Sequence, residues 1–181
     1  MFRYLALALA FGVTACESYE QPPSATAQKW LCGREYVNHA WGYQRHGTVI
    51  DASGTVLRYD IRSAVNNLVN PWSPKDALHM SEDELKLRYN GATATERKVP
   101  AADIAKNYPL IAEAARAKPT DPKMTAADMG QHLTYCLAYD EVTHSYSEVM
   151  IDNRGDWTST NPSPAARTLS AWLDQALGPE N

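Results

Sequence analysis

The chain predicts an α+β fold, a single domain with an antiparallel sheet and helices packed on one face. Three observations lead there. Polar and apolar residues alternate in two separate stretches, roughly 37–61 and 133–151, each interrupted by short polar loops, the pattern of antiparallel hairpins. Helical patterns gather between those stretches and after the second. Setting aside the first 15 of the 181 residues leaves enough chain for one domain with a core of its own.

Residues 1–15 read as an export signal and are excluded from the fold. Arg3 supplies the charged start, the run from Leu5 has the length of a signal core, and Val13, Thr14 and Ala15 narrow toward small side chains. A spanning helix needs roughly 20 apolar residues; here Glu17, Ser18 and Glu20 follow directly.

Val13-Thr14-Ala15-Cys16 resembles the lipobox of bacterial lipoproteins. The resemblance implies that the Cys16 thiol receives a diacylglyceryl group, that the signal is cut just before it, and that the new amino terminus is acylated, palmitate being one such chain. The membrane is then a partner through the anchor, because each buried methylene contributes about 0.8 kcal/mol and two or more chains hold stably. It places the protein in the bacterial cell envelope. Glu17 stands where an aspartate would resemble an inner-membrane retention mark, and the absence of that aspartate favours the outer membrane, facing the periplasm. Residues 16–28 form the lipidated tether: they are polar, carry Pro22-Pro23 and show no apolar period. The globular domain is expected over 29–181.

Composition narrows the rest. Both phenylalanines, Phe2 and Phe11, lie in the signal, so the aromatic core must use Trp and Tyr, whose polar tips need partners. The formal charge is −4, and losing Arg3 leaves 16 basic residues against 21 acidic. No basic cluster is evident along the chain, which argues against nucleic acid. With Cys16 lipidated, Cys32 and Cys136 are left to form a disulfide in an oxidising compartment.

The segment Tyr36 to Ile61 predicts a three-stranded meander. Val37, His39, Trp41 and Tyr43 alternate, Arg45-His46-Gly47 turns the chain, Asp51 to Gly54 forms a hairpin loop, and Thr55, Leu57, Tyr59 and Ile61 share a face. Ser81 and Glu84 form a capping box that starts a short helix through Leu85 and Leu87. Pro100 opens another carrying Ile104, and Pro109 is expected to break or restart it. A second hairpin puts Leu133, Tyr135, Leu137 and Tyr139 on one face and His132, Thr134, Cys136 and Ala138 on the other, returning through Tyr146 to Ile151. Ser163 and Pro164 begin a final helix whose stripe is Leu169, Trp172, Leu173, Ala176 and Leu177, with Trp172 central and Gly178 as the stop.

No phosphate loop, zinc helix, Cys-X-X-Cys pair or nucleophile elbow is present in the sequence. The five histidines, His39, His46, His79, His132 and His144, lack close ligand spacing, and neither metal nor cofactor is expected. Asp152 to Asp156 reads as a strand-terminating turn. One catalytic alternative is a cell-wall cysteine hydrolase with Cys32 as nucleophile and His132 or His144 as base; its cysteine-then-histidine order resembles papain-like envelope amidases. An aromatic ridge of His39, Trp41 and Tyr43 is a candidate binding surface, although a place in the core accounts for it better. The leading expectation is a non-catalytic binding module of inhibitor or immunity type against a cell-wall enzyme. An accessory subunit of an envelope complex is the structural alternative.

Overall fold

A computed structural model of the chain describes residues 28–40, 42–62 and 77–178. The expected signal, Cys16 and the tether up to residue 27 lie outside the described residues. Among the described residues eight strands form one antiparallel sheet: β1 (Trp30–Asn38), β2 (Gln44–Asp51), β3 (Thr55–Arg62), β4 (Thr93–Lys98), β5 (Lys123–Met124), β6 (Gln131–Asp140), β7 (Ser145–Gly155) and β8 (Trp157–Thr160). Their order across the sheet is β4-β3-β2-β1-β6-β7-β8-β5. The strands β1 and β6 meet at its centre, so the two halves of the chain are joined by their own backbone hydrogen bonds.

Local chemistry fixes the turns. Between β2 and β3 the Asp51 carboxylate accepts from the backbone N–H groups of Ser53 and Thr55 at 2.8 and 2.9 Å. Gly54 follows at φ +83°, where a Cβ would lie 2.3 Å from the Val99 carbonyl oxygen, so only glycine fits without displacing the backbone.

Three helices are found among the described residues: α1 (Glu82–Arg88), α2 (Ala101–Ala115) and α3 (Pro164–Leu177). The expected Ser81 capping box is present, with Ser81 Oγ accepting from Glu84 N and the Glu84 carboxylate accepting from Ser81 N at 2.7 Å. Likewise, Ser163 caps α3, its hydroxyl accepting from Ala166 N at 3.0 Å. Pro109 does not break α2, which continues through it; the ring sits on the exposed side of the helix, where a missing N–H is tolerated more easily.

Alternation along the strands sorts side chains into two cores. Cys32, Ile50, Val56, Cys136 and Val149 form one apolar row across five strands, and α2 and α3 lie over it through Ile104, Ile111, Leu169 and Leu173. Full burial of each such side chain stabilises the fold by about 1.5–3 kcal/mol. The opposite face carries Val49, Tyr59, Tyr135 and Leu137, packed with Leu85 and Tyr89 from α1 and its C-cap. The arrangement of helices on one face thus describes α2 and α3, while α1 groups with the other set of side chains. As expected without phenylalanine, buried tyrosines fill this second core and their hydroxyls are satisfied: Tyr59 donates to Glu35 at 2.6 Å, and Tyr89 and Tyr135 bond each other at 2.9 Å.

Several boundaries differ from expectation. The first strand starts at Trp30, six residues before Tyr36, which leaves His39 and Tyr43 in the β1–β2 connection. The short strands β4 and β8 were not legible as strands, and β7 runs through Asp152–Gly155, so the turn falls at Asp156 rather than across the whole acidic stretch. Asp156 accepts from the N–H groups of Met129 and Gly130. Trp172 is at the margin of the α3 stripe, half-buried, while Leu169, Leu173 and Leu177 are inside. Gln28, assigned to the tether, is buried and belongs to the packed body: its amide donates to the Leu137 carbonyl at 2.7 Å and its oxygen accepts from the Tyr108 hydroxyl at 2.7 Å.

Candidate functional site

The apolar row under α2 and α3 gives way, farther along the same sheet face, to two polar rows. The first is Arg58, Thr48, Arg34 and Thr134, on β3, β2, β1 and β6. The next has Tyr36 between His46 and His132, with ring centroids 5.1 and 4.8 Å apart. Because α3 ends at Leu177, no described element covers the face beyond it, which forms a cleft of about 380 Å³, within the range of small-molecule sites.

Arg34, Arg58 and Arg97 line this cleft together with Glu96, while Asp174 pairs with Arg34 from α3 and Asp60 stands beside His46 at the β3 end of the ring row. Arg34 lies on the floor, pairs with Asp174 and donates through Nη1 to the Gly178 carbonyl at 3.4 Å; its Nε is buried without an acceptor. Gly178, at φ +79°, would place a Cβ 2.6 Å from Arg97 Nη2, so the missing side chain lets Arg97 close on the end of α3. The negative pole of the helix favours both cations there. Arg58 and Arg97 are exposed at the rim. Val56, Leu177 and the ring row supply apolar surface beside them.

Glu35 also borders the cleft by its backbone, but its carboxylate turns to the opposite face. There it accepts from Arg45 Nε and Nη2 at 3.0 and 2.5 Å and from Arg88 Nη2 at 2.8 Å, besides the Tyr59 hydroxyl. Arg88 is fully buried; it also reaches Glu148 at 2.7 Å and lies 4.1 Å over the Tyr135 ring. Burial alone would push the Glu35 carboxyl up, but the neighbouring Arg88 and Arg45 cations hold it down at about 2. Burial pushes the Tyr59 hydroxyl well up, reinforced by the Glu35 charge. Ionised Glu35 and two permanent cations thus lock β1 from behind, fixing the strand that presents Arg34 and Tyr36 to the cleft.

The expected site residues disperse. Cys32 and Cys136 face each other across β1 and β6 and are joined in a disulfide, both fully buried. Bonded in this way, Cys32 offers no thiolate, which removes the nucleophile of the hydrolase alternative. Its two proposed bases are also separated: His132 lines the cleft, and His144 sits in the β6–β7 turn at φ +51°, beside the Tyr139 hydroxyl. His39 and Tyr43 stay together, with rings 5.2 Å apart, outside the cleft; the Trp41 part of that ridge lies outside the described residues. Among the described residues no group of three His, Cys, Asp or Glu is arranged to hold a metal ion, and no helix is long and apolar enough to cross a membrane.

Sequence reading missed Arg34, Arg58 and Arg97 because they lie far apart in the chain and only strand pairing gathers them. Adjacent charges at Arg34 and Glu35 were the available signal, since alternation in a strand sends them to opposite faces. No protein-family model, curated protein or solved structure matches the chain.

Proposed function

We propose that this is a lipid-anchored envelope protein whose domain is a non-catalytic binding module, taking its target in the cleft between β3, β1 and the end of α3. The cleft carries this reading: cationic and hydrogen-bonding side chains are held on a rigid sheet, while the paired cysteines offer no nucleophile. Anchorage rests on the lipobox-like Val13–Cys16 stretch, with the outer membrane and its periplasmic side as the favoured address. An inhibitor or immunity role suits an acidic protein of this size, but the cleft is locally basic, so a protein partner engaged there would have to present acidic groups.

A photo-crosslinking residue at Thr48, in the cleft, tests both parts in cells. The expected result is a covalent adduct at Thr48 in the membrane fraction, and release of the Cys16→Ser variant into the soluble periplasmic fraction. Unchanged membrane retention of Cys16→Ser would refute the anchor. Absence of any Thr48 adduct would refute the cleft as the target site.

A further inference from the structure

We infer that the cleft binds a small organic oxyanion, a phosphate- or carboxylate-headed molecule with a flat apolar body. This rests on the cleft being the target site and adds the chemical class of its occupant. The chain as a whole carries a formal charge of −4, yet the lining side chains include Arg34, Arg58 and Arg97 against Glu96. A local positive field inside an acidic molecule selects by sign.

The end of α3 accounts for part of that charge. Asp174 and the Gly178 carbonyl engage Arg34, and Arg97 closes on Gly178. They leave Arg34 Nε buried without an acceptor and do nothing for Arg58, two strands away on β3. No ion pair joins Arg58 or Arg97 to a carboxylate among the described residues. The guanidinium forks of Arg58 and Arg97, on the neighbouring strands β3 and β4, match the planar oxygens of a carboxylate or phosphate. The row His46, Tyr36 and His132 borders the same space, and its rings supply surface for a flat body. A volume of about 380 Å³ suits a small molecule rather than a folded surface.

Titration of the full chain in a non-ionic detergent with phenyl phosphate, benzoate, inorganic phosphate and uncharged benzamide tests this. Phenyl phosphate or benzoate should bind saturably, at least about tenfold tighter than benzamide, and weaken as sodium chloride rises. The tighter of the two identifies the headgroup. The Arg58→Ala/Arg97→Ala double variant should lose at least about tenfold in affinity with an unchanged melting temperature, because both side chains are exposed. Equal binding of benzamide, wild-type affinity in the double variant, or no saturable binding of either organic anion would overturn the assignment. Inorganic phosphate binding as tightly as phenyl phosphate would overturn it as well, since the rings would then contribute nothing. A Thr48 adduct in cells alongside failed titrations removes the oxyanion and keeps the cleft; loss of both removes the cleft reading itself.

Discussion

Glu35 is 5% exposed and anchors two arginines, so its ionisation is tied to folding. With a folded pKa of about 2 against an ordinary 4.5, its contribution is complete above pH 4.5. As the pH falls from there toward 2, the unfolded chain takes up a proton that the folded chain refuses, and on the order of 3 kcal/mol is lost. Urea midpoints followed between about pH 6 and pH 2 should show this decline in the wild type. Glu35→Gln should be less stable by about 3–5 kcal/mol at neutral pH, because it strands buried cations, and its midpoint should lack this component of the acid decline; an identical acid slope would refute the assignment. At this scale the sequence was only partly legible. Arg34 and Glu35 are plain as charges, but which one points into the cleft depends on a strand register that apolar periodicity did not supply. Their strand carries glycine and glutamate on one face and arginine and tyrosine on the other, so neither face reads as apolar.

Elements with local chemical signals were legible. The Ser81–Glu84 spacing marked α1, and the spaced leucines with Ser163 marked α3, because capping and helical burial are written within a few residues of each other. Ser81→Ala should lower stability by about 1 kcal/mol, read as a lower denaturation midpoint with an unchanged slope; no shift would mean that the cap contributes nothing to α1. By contrast, β4 reads Thr-Ala-Thr-Glu-Arg-Lys and is mostly exposed, with no apolar alternation to betray a strand. It lies at the sheet edge, where exposed charges at Glu96, Arg97 and Lys98 discourage pairing with another chain. The same edge therefore hides a strand from sequence reading and lends Arg97 to the cleft. The His39–Tyr43 alternation misled for the converse reason: it has the period of a strand, but Asn38 closes β1, its side chain accepting from Ala40 N at 2.8 Å.

Across the whole molecule, the α+β class and the antiparallel hairpins followed from patterning, whereas the closure of the sheet through β1 and β6 required contacts between distant segments. The cysteine count anticipated one such contact. The Cys32–Cys136 bond spans 104 positions, and its reduction should cost about 4–5 kcal/mol in the chain-entropy account. Denaturation with and without a phosphine reductant measures this, and an unchanged midpoint would show that the bond does not constrain the unfolded chain. The position of Gln28 has a mechanical corollary. Under the anchorage proposed at Cys16, a pull on the chain would enter the described fold at Gln28 and pass straight into the middle strand of the sheet, where both neighbours resist it in shear and the sulfur bridge stands four residues inward. Drag on the bilayer would therefore be stopped before it reaches the rings and guanidinium groups farther along β1, so the binding face would keep its shape under load.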